Sequence, residues 1–211
     1  MIFEDAMAVL TALEREGVRY VMVGSMAMAA NGVVRATRDV DFVVASDEAN
    51  VARLRAALRS VFDDPSIDEI DAAELAGAYP VVQYFPPGEA YSVDIIARLG
   101  AAFAYDDIEW HWMEIDGLRI KVATPCTSYV MKCDTVREQD RLDALMLKER
   151  FGWRSTDAPA QVPQRRGRPV QRRHGGRRSS CRATNGCAGE PSERWDRGRG
   201  EGRHGAAGLL G

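Results

Sequence analysis

Apolar residues recur along the first 150 positions with two alternating periods. Phe3, Ala6, Met7, Leu10 and Leu13 fall at helical spacing over 2–16, and Gly17 closes the pattern. Residues 19–24, Arg-Tyr-Val-Met-Val-Gly, read as a short buried strand, and Gly24-Ser25 turns the chain. Residues 25–31 are rich in helix formers. Ser25 is placed to cap that helix, and Gly32 to close it. Residues 39–45, Asp-Val-Asp-Phe-Val-Val-Ala, alternate and predict a second strand, followed by a helix over 48–62 with Val51, Leu54, Leu58 and Val61 on one face.

Residues 79–85 and 91–97 predict two strands joined as a hairpin through Pro86-Pro87-Gly88-Glu89. A second hairpin joins 112–115 to 118–122 at Asp116-Gly117. Thr124-Pro125 reads as N-cap and first-turn proline of a helix carrying Val130, Met131 and Val136. A last helix starts near Asp140, with Leu142, Leu145 and Met146 expected inward. Together these elements predict an α/β fold, a small mixed sheet with helices packed on it.

The periodicity fails near Trp153. Residues 151–211 hold 12 glycines and 13 arginines but few large apolar side chains. Such a segment cannot bury enough apolar area to offset ordering entropy. Residues 1–152 are therefore expected to form one domain, and 153–211 a disordered Arg/Gly-rich tail. Charge divides the same way: residues 1–150 carry −11 and residues 151–211 carry +8. One reading of the tail is a nucleic-acid-binding arm. The favoured one is an out-of-frame translation of a GC-rich gene, because the change is abrupt and falls inside the last helical region.

Glu4 and Asp5 stand where a signal peptide would be basic, and no stretch approaches the roughly 18 apolar residues of a membrane span. The cysteines at 126, 133, 181 and 187 do not read as a disulfide framework, so a cytoplasmic location is expected.

Side chains at i and i+2 of a strand point the same way, roughly 6–7 Å apart. Asp39 and Asp41 therefore share one side, and Val40 and Phe42 the other. Two carboxylates so placed can grip one or two divalent cations, and Mg²⁺ prefers such hard oxygen ligands together with phosphate oxygens. Asp94, between Val93 and Ile95, is a third strand carboxylate, expensive unless solvated or paired with a metal. Gly24-Ser25, between a strand and a helix, offers backbone N–H groups and a hydroxyl of the kind that suits phosphate.

Gly24-Ser25, a short helix, Asp39-x-Asp41 and then Asp94 resemble the nucleotidyltransferase superfamily of the DNA polymerase β type. More narrowly, Arg-Ala-Thr-Arg-Asp-Val-Asp over 35–41, with Lys132, Arg137, Asp140 and Asp143, resembles small bacterial nucleotidyltransferases that include AbiEii-type toxins. The resemblance covers about residues 1–150. It implies a nucleotidyltransferase fold and transfer of a nucleoside monophosphate from an NTP to an acceptor hydroxyl on RNA, protein or a small molecule. It implies that Asp39, Asp41 and Asp94 hold Mg²⁺, with Mn²⁺ as a substitute, in a two-metal site, and that Asp94 also helps deprotonate the acceptor. Gly24, Ser25, Arg35, Thr37 and Lys132 would contact the nucleotide. Toxins of toxin–antitoxin pairs in that group imply an antitoxin protein as a partner. The alternative is a catalytically inactive relative that only binds a partner.

Several residues have plainer readings. Arg137, Asp140 and Asp143 are expected as i,i+3 helix-surface pairs, and Arg35 either contacts nucleotide or braces its loop. His111 is expected to be packed among aromatics, and Asp106, Asp107 and Glu109 to form a solvated turn. Cys126 and Cys133 are expected in the core. Cys181, Cys187, His174 and His204 do not match a zinc spacing.

Overall fold

The computed structural model describes residues 2–77, 79–100 and 103–153. Of the expected 153–211 tail, all but Trp153 lies outside the described residues, with Cys181, Cys187, His174 and His204. In chain order the elements are α1 (Ile2–Arg15), β1 (Tyr20–Met22), α2 (Gly24–Ala30), β2 (Asp39–Val44) and α3 (Glu48–Arg59). A 3-10 turn (Pro65–Glu69) and α4 (Ala72–Ala76) follow, then β3 (Val81–Tyr84), β4 (Ser92–Ile96), β5 (Arg98–Leu99) and β6 (Phe103–Ala104). A 3-10 turn at Tyr105–Asp107 leads to β7 (Trp110–Ile115), β8 (Leu118–Ala123), α5 (Pro125–Cys133) and α6 (Glu138–Arg150). No helix among the described residues is long and apolar enough to cross a membrane.

Six strands form one sheet in the order β3-β4-β2-β1-β8-β7. β2 pairs parallel with β4, and β1 parallel with β8; the other pairings are antiparallel. This is the small mixed sheet with flanking helices that the sequence predicts. Both expected hairpins form. At the second, Asp116 and Gly117 take φ values of 49° and 79°, the left-handed pair that a two-residue turn requires.

Alternation along β2 buries Val40, Phe42 and Val44 in the main core. Phe42 meets Tyr20 of β1 edge to face at 5.4 Å, and the Tyr20 hydroxyl donates to Glu14 of α1. The opposite side of β2 is thereby left to Asp39 and Asp41.

α5 begins as predicted, with Thr124 accepting from the backbone N–H of Thr127 and Pro125 in the first turn. Thr124→Ala should lower stability by about 1 kcal/mol, read as a lower urea midpoint. α6 departs from expectation. Leu142 and Leu145 are 49% and 61% exposed, and Met146 is exposed too. Asp140, Asp143, Ala144 and Leu147 face inward instead. Their carboxylates meet two cations beneath the helix, and those pairings override the apolar period. Trp153 is buried beside Tyr129 and Phe151, in a second small cluster with Met28, Val33, Cys126 and Leu147.

Candidate active site

β2 and β4 bring the three strand carboxylates onto one face. Their register sets Asp39 opposite Ser92 and Asp41 opposite Asp94. Neighbouring strands lie about 4.8 Å apart, so Asp41 and Asp94 are immediate neighbours from distant parts of the sequence.

The Gly24-Ser25 turn closes on this face. The Val23 N–H donates to the Asp41 carbonyl at 2.9 Å. Gly24 has φ +65°, and a Cβ there would lie 2.0 Å from Asp41 Oδ2. Only glycine admits both the backbone conformation and the close approach. The expected capping role of Ser25 is not borne out: Val23 is the N-cap, without a side-chain cap, and Ser25 lies within the helix. The reason is that the chain enters the helix at Gly24 itself. The Ser25 hydroxyl is buried and, among the described residues, has no hydrogen-bond partner.

The three carboxylates differ in support. Ser92 Oγ lies 3.0 Å from Asp39 Oδ1 and 3.3 Å from Asp94 Oδ1, and Gln83 Nε2 donates to Asp94 Oδ1 at 3.0 Å. Among the described residues, Asp41 receives no such side-chain hydrogen bond. Burial, then the charges of Asp94 and Asp39, push its pKa up from 3.8 to about 6, against the pull of Lys132 and Arg35. Burial also raises Asp94, opposed by its bond from Gln83 and reinforced by Asp39.

Lys132 and Arg35 belong to a second, buried charge cluster. Lys132 Nζ lies 2.9 Å from Asp140 Oδ1 and 2.8 Å from Asp143 Oδ2. Arg35 donates to both Asp143 oxygens at 2.9 and 3.2 Å, and Gln139 donates to the same carboxylate at 2.9 Å. Asp140 also accepts from Thr135, and Arg137 approaches it at 3.8 Å from an exposed position. The expected i,i+3 pair of Arg137 with Asp140 is thus present, but Asp140 and Asp143 do not lie on the helix surface, because two cations from α5 and the loop before β2 draw them inward. Arg35 braces its loop.

Burial works to raise the Asp143 pKa, but the hydrogen bonds from Lys132, Gln139 and Arg35 outweigh it, and the net shift is downward. Its stabilisation is present at neutral pH and is lost as pH falls through the lowered value. Asp143→Ala would leave buried Lys132 and half-buried Arg35 short of a partner and should cost about 3–5 kcal/mol, measured by urea unfolding.

Thr37 is half-buried and exchanges weak hydrogen bonds with the Asp39 backbone. His111 is half-buried on β7, and burial lowers its pKa. Sequence reasoning missed Ser92 and Gln83. Ser92 was legible in principle, since it stands two residues before Asp94 and so on the same side. Gln83 was not, because its place beside Asp94 depends on the hairpin register.

A hard divalent cation fits this donor set of carboxylate oxygens, with the Gly24 cradle and the orphaned Ser25 hydroxyl beside it. As they stand, no three acidic, His or Cys side chains among the described residues are gathered closely enough to hold an ion. Mutual repulsion of the carboxylates works against closer approach.

No family model matches the chain, and no curated protein matches it. Among solved structures, it is similar to an antigenic nucleotidyltransferase-like protein from Paracoccidioides brasiliensis. Identity is 14%, the TM-score is 0.37, and the match covers 69% of this chain and 75% of that one.

Proposed function

We propose that the protein is a nucleotidyltransferase that moves a nucleoside monophosphate from an NTP to an acceptor hydroxyl. The observation that carries this reading is Asp41. Its carboxylate is pressed against the Gly24 backbone beside Asp94, and its charge is destabilised by burial and by two like charges. Stability alone does not favour such a group; cation-assisted phosphate chemistry does.

Bound at Asp39, Asp41 and Asp94, Mg²⁺ would supply charge neutralisation for the phosphates and the attacking oxygen. The chain's own residues do the rest. Gly24 lets the phosphates approach the backbone closely, and the Ser25 hydroxyl donates to a phosphate oxygen. Lys132 has a third ammonium proton beyond those given to Asp140 and Asp143, and that proton serves the nucleotide. Arg35 and Thr37 hold the loop that leads into Asp39. Asp94 accepts the proton of the acceptor hydroxyl as its oxygen bonds to the α-phosphorus. The bond from that phosphorus to the bridging oxygen breaks, and pyrophosphate leaves. Catalysis is then mainly positioning and electrostatics.

The resemblance of residues 35–41 and of Lys132, Arg137, Asp140 and Asp143 to AbiEii-type proteins supports the narrower proposal of a cytoplasmic toxin, with RNA as the first acceptor to test and an antitoxin as partner. Pyrophosphate release should be followed with each NTP, Mg²⁺ and RNA, protein extract or small metabolites in turn. Release that depends on one acceptor class and vanishes in Asp39→Ala supports the enzyme. Its absence with every NTP and acceptor, the fold being intact, favours an inactive partner-binding relative. The exposed Val136, Leu142 and Leu145 would suit that second reading.

A further inference from the structure

Ser92 and Gln83 stand outside the residues that the proposed reaction uses, yet they connect two of its three carboxylates. Ser92 is buried on β4, in register with Asp39. Gln83 lies on the edge strand β3, in register with Asp94. Gln83 Nε2 is 3.2 Å from Ser92 Oγ and 3.0 Å from Asp94 Oδ1. Ser92 Oγ is 3.0 Å from Asp39 Oδ1.

The protons assign themselves. An amide nitrogen has two hydrogens, a serine hydroxyl one, and an ionised carboxylate none. Gln83 gives one proton to Asp94 and one to Ser92, leaving the Ser92 proton for Asp39, its shorter contact. Three protons then fill three bonds. The reversed amide would set its carbonyl oxygen against Asp94 Oδ1, oxygen to oxygen.

The relay fixes Oδ1 of both Asp39 and Asp94 and directs the remaining oxygen of each elsewhere. Asp41 needs no such tether, because Gly24 confines it. We propose that Gln83 and Ser92 are positioning residues. On this view they hold Asp39 and Asp94 in the orientation in which, together with Asp41, they receive a divalent cation. The inference rests on the proposed nucleotidyltransferase reading. Outer hydrogen-bond partners of metal-binding carboxylates commonly change metal affinity by about 10–100-fold.

The test is calorimetric titration of the full chain with Mn²⁺, without nucleotide, alongside thermal unfolding of each variant. Wild type should bind Mn²⁺ and Asp41→Ala should not. Ser92→Ala and Gln83→Leu should each weaken binding by about tenfold or more, while Ser92→Thr, which keeps the hydroxyl, stays near wild type. Gln83 is exposed, so Gln83→Leu should unfold at the wild-type temperature and carries the test if Ser92→Ala fails to fold. Wild-type affinity in either variant, provided that it is folded, would overturn the inference while leaving the proposed function standing. No Mn²⁺ binding by wild type would overturn both.

Discussion

Asp41→Asn should sharply reduce nucleotidyl transfer while making the metal-free protein more stable. The folded chain holds Asp41 with a pKa of about 6, above its ordinary 3.8, so folding favours the protonated form. The penalty is absent below about pH 4, grows as pH rises toward 6 and is full above it. Metal-free wild type should therefore lose stability between pH 4 and 6 from this group, and the variant should not. The shift corresponds to an upper bound of about 3 kcal/mol, and partial exposure reduces it to on the order of 1–3 kcal/mol. Urea midpoints at pH 5 and 7.5 would show it. A divalent cation should restore the wild-type midpoint at pH 7.5 and leave that of Asp41→Asn unchanged. Transfer should fall on the order of 10²–10³-fold or more, as when a group that stabilises developing charge is removed.

Gly24→Ala should damage both fold and activity. The left-handed backbone at Gly24 costs a non-glycine residue about 1–2 kcal/mol. The added methyl would also meet Asp41 Oδ2 at 2.0 Å and push the carboxylate aside. A displacement of roughly 1 Å at a reacting centre can cost about 10² in rate. Gly117→Ala separates the two effects. Gly117 has φ +79° and nothing within 4 Å of its added Cβ. It should lower the urea midpoint similarly and leave transfer intact. Equal activity loss in the two variants would mean that Gly24 acts through stability alone.

Alternation around Val40 and Phe42 made the carboxylate face of β2 legible from the sequence, because residues at i and i+2 of a strand share one side. The adjacency of Asp41 and Asp94 was not legible, since parallel pairing across a sequence separation of 53 is set by tertiary packing. The helix after Gly24 was read correctly, but its cap was not: periodicity locates a helix better than it locates the first residue. α6 misled for a different reason. Leu142, Leu145 and Met146 suggest an inward face, yet hydrophobic periodicity gives no weight to Asp143, which is fully buried. The i,i+3 spacing of Asp140 and Asp143 was visible, but the cations that turn them inward, Arg35 and Lys132, come from elsewhere in the chain.

The most direct measurement is a paired labelling experiment on the full chain, with Mg²⁺, total RNA and NTPs carrying the label at either the α- or the γ-phosphate. The account predicts that α-label enters an RNA band, that γ-label leaves as pyrophosphate, and that both signals disappear in Asp39→Ala and Asp41→Ala. Transfer of γ-label to the acceptor, or α-label transfer that survives in both variants, would contradict it.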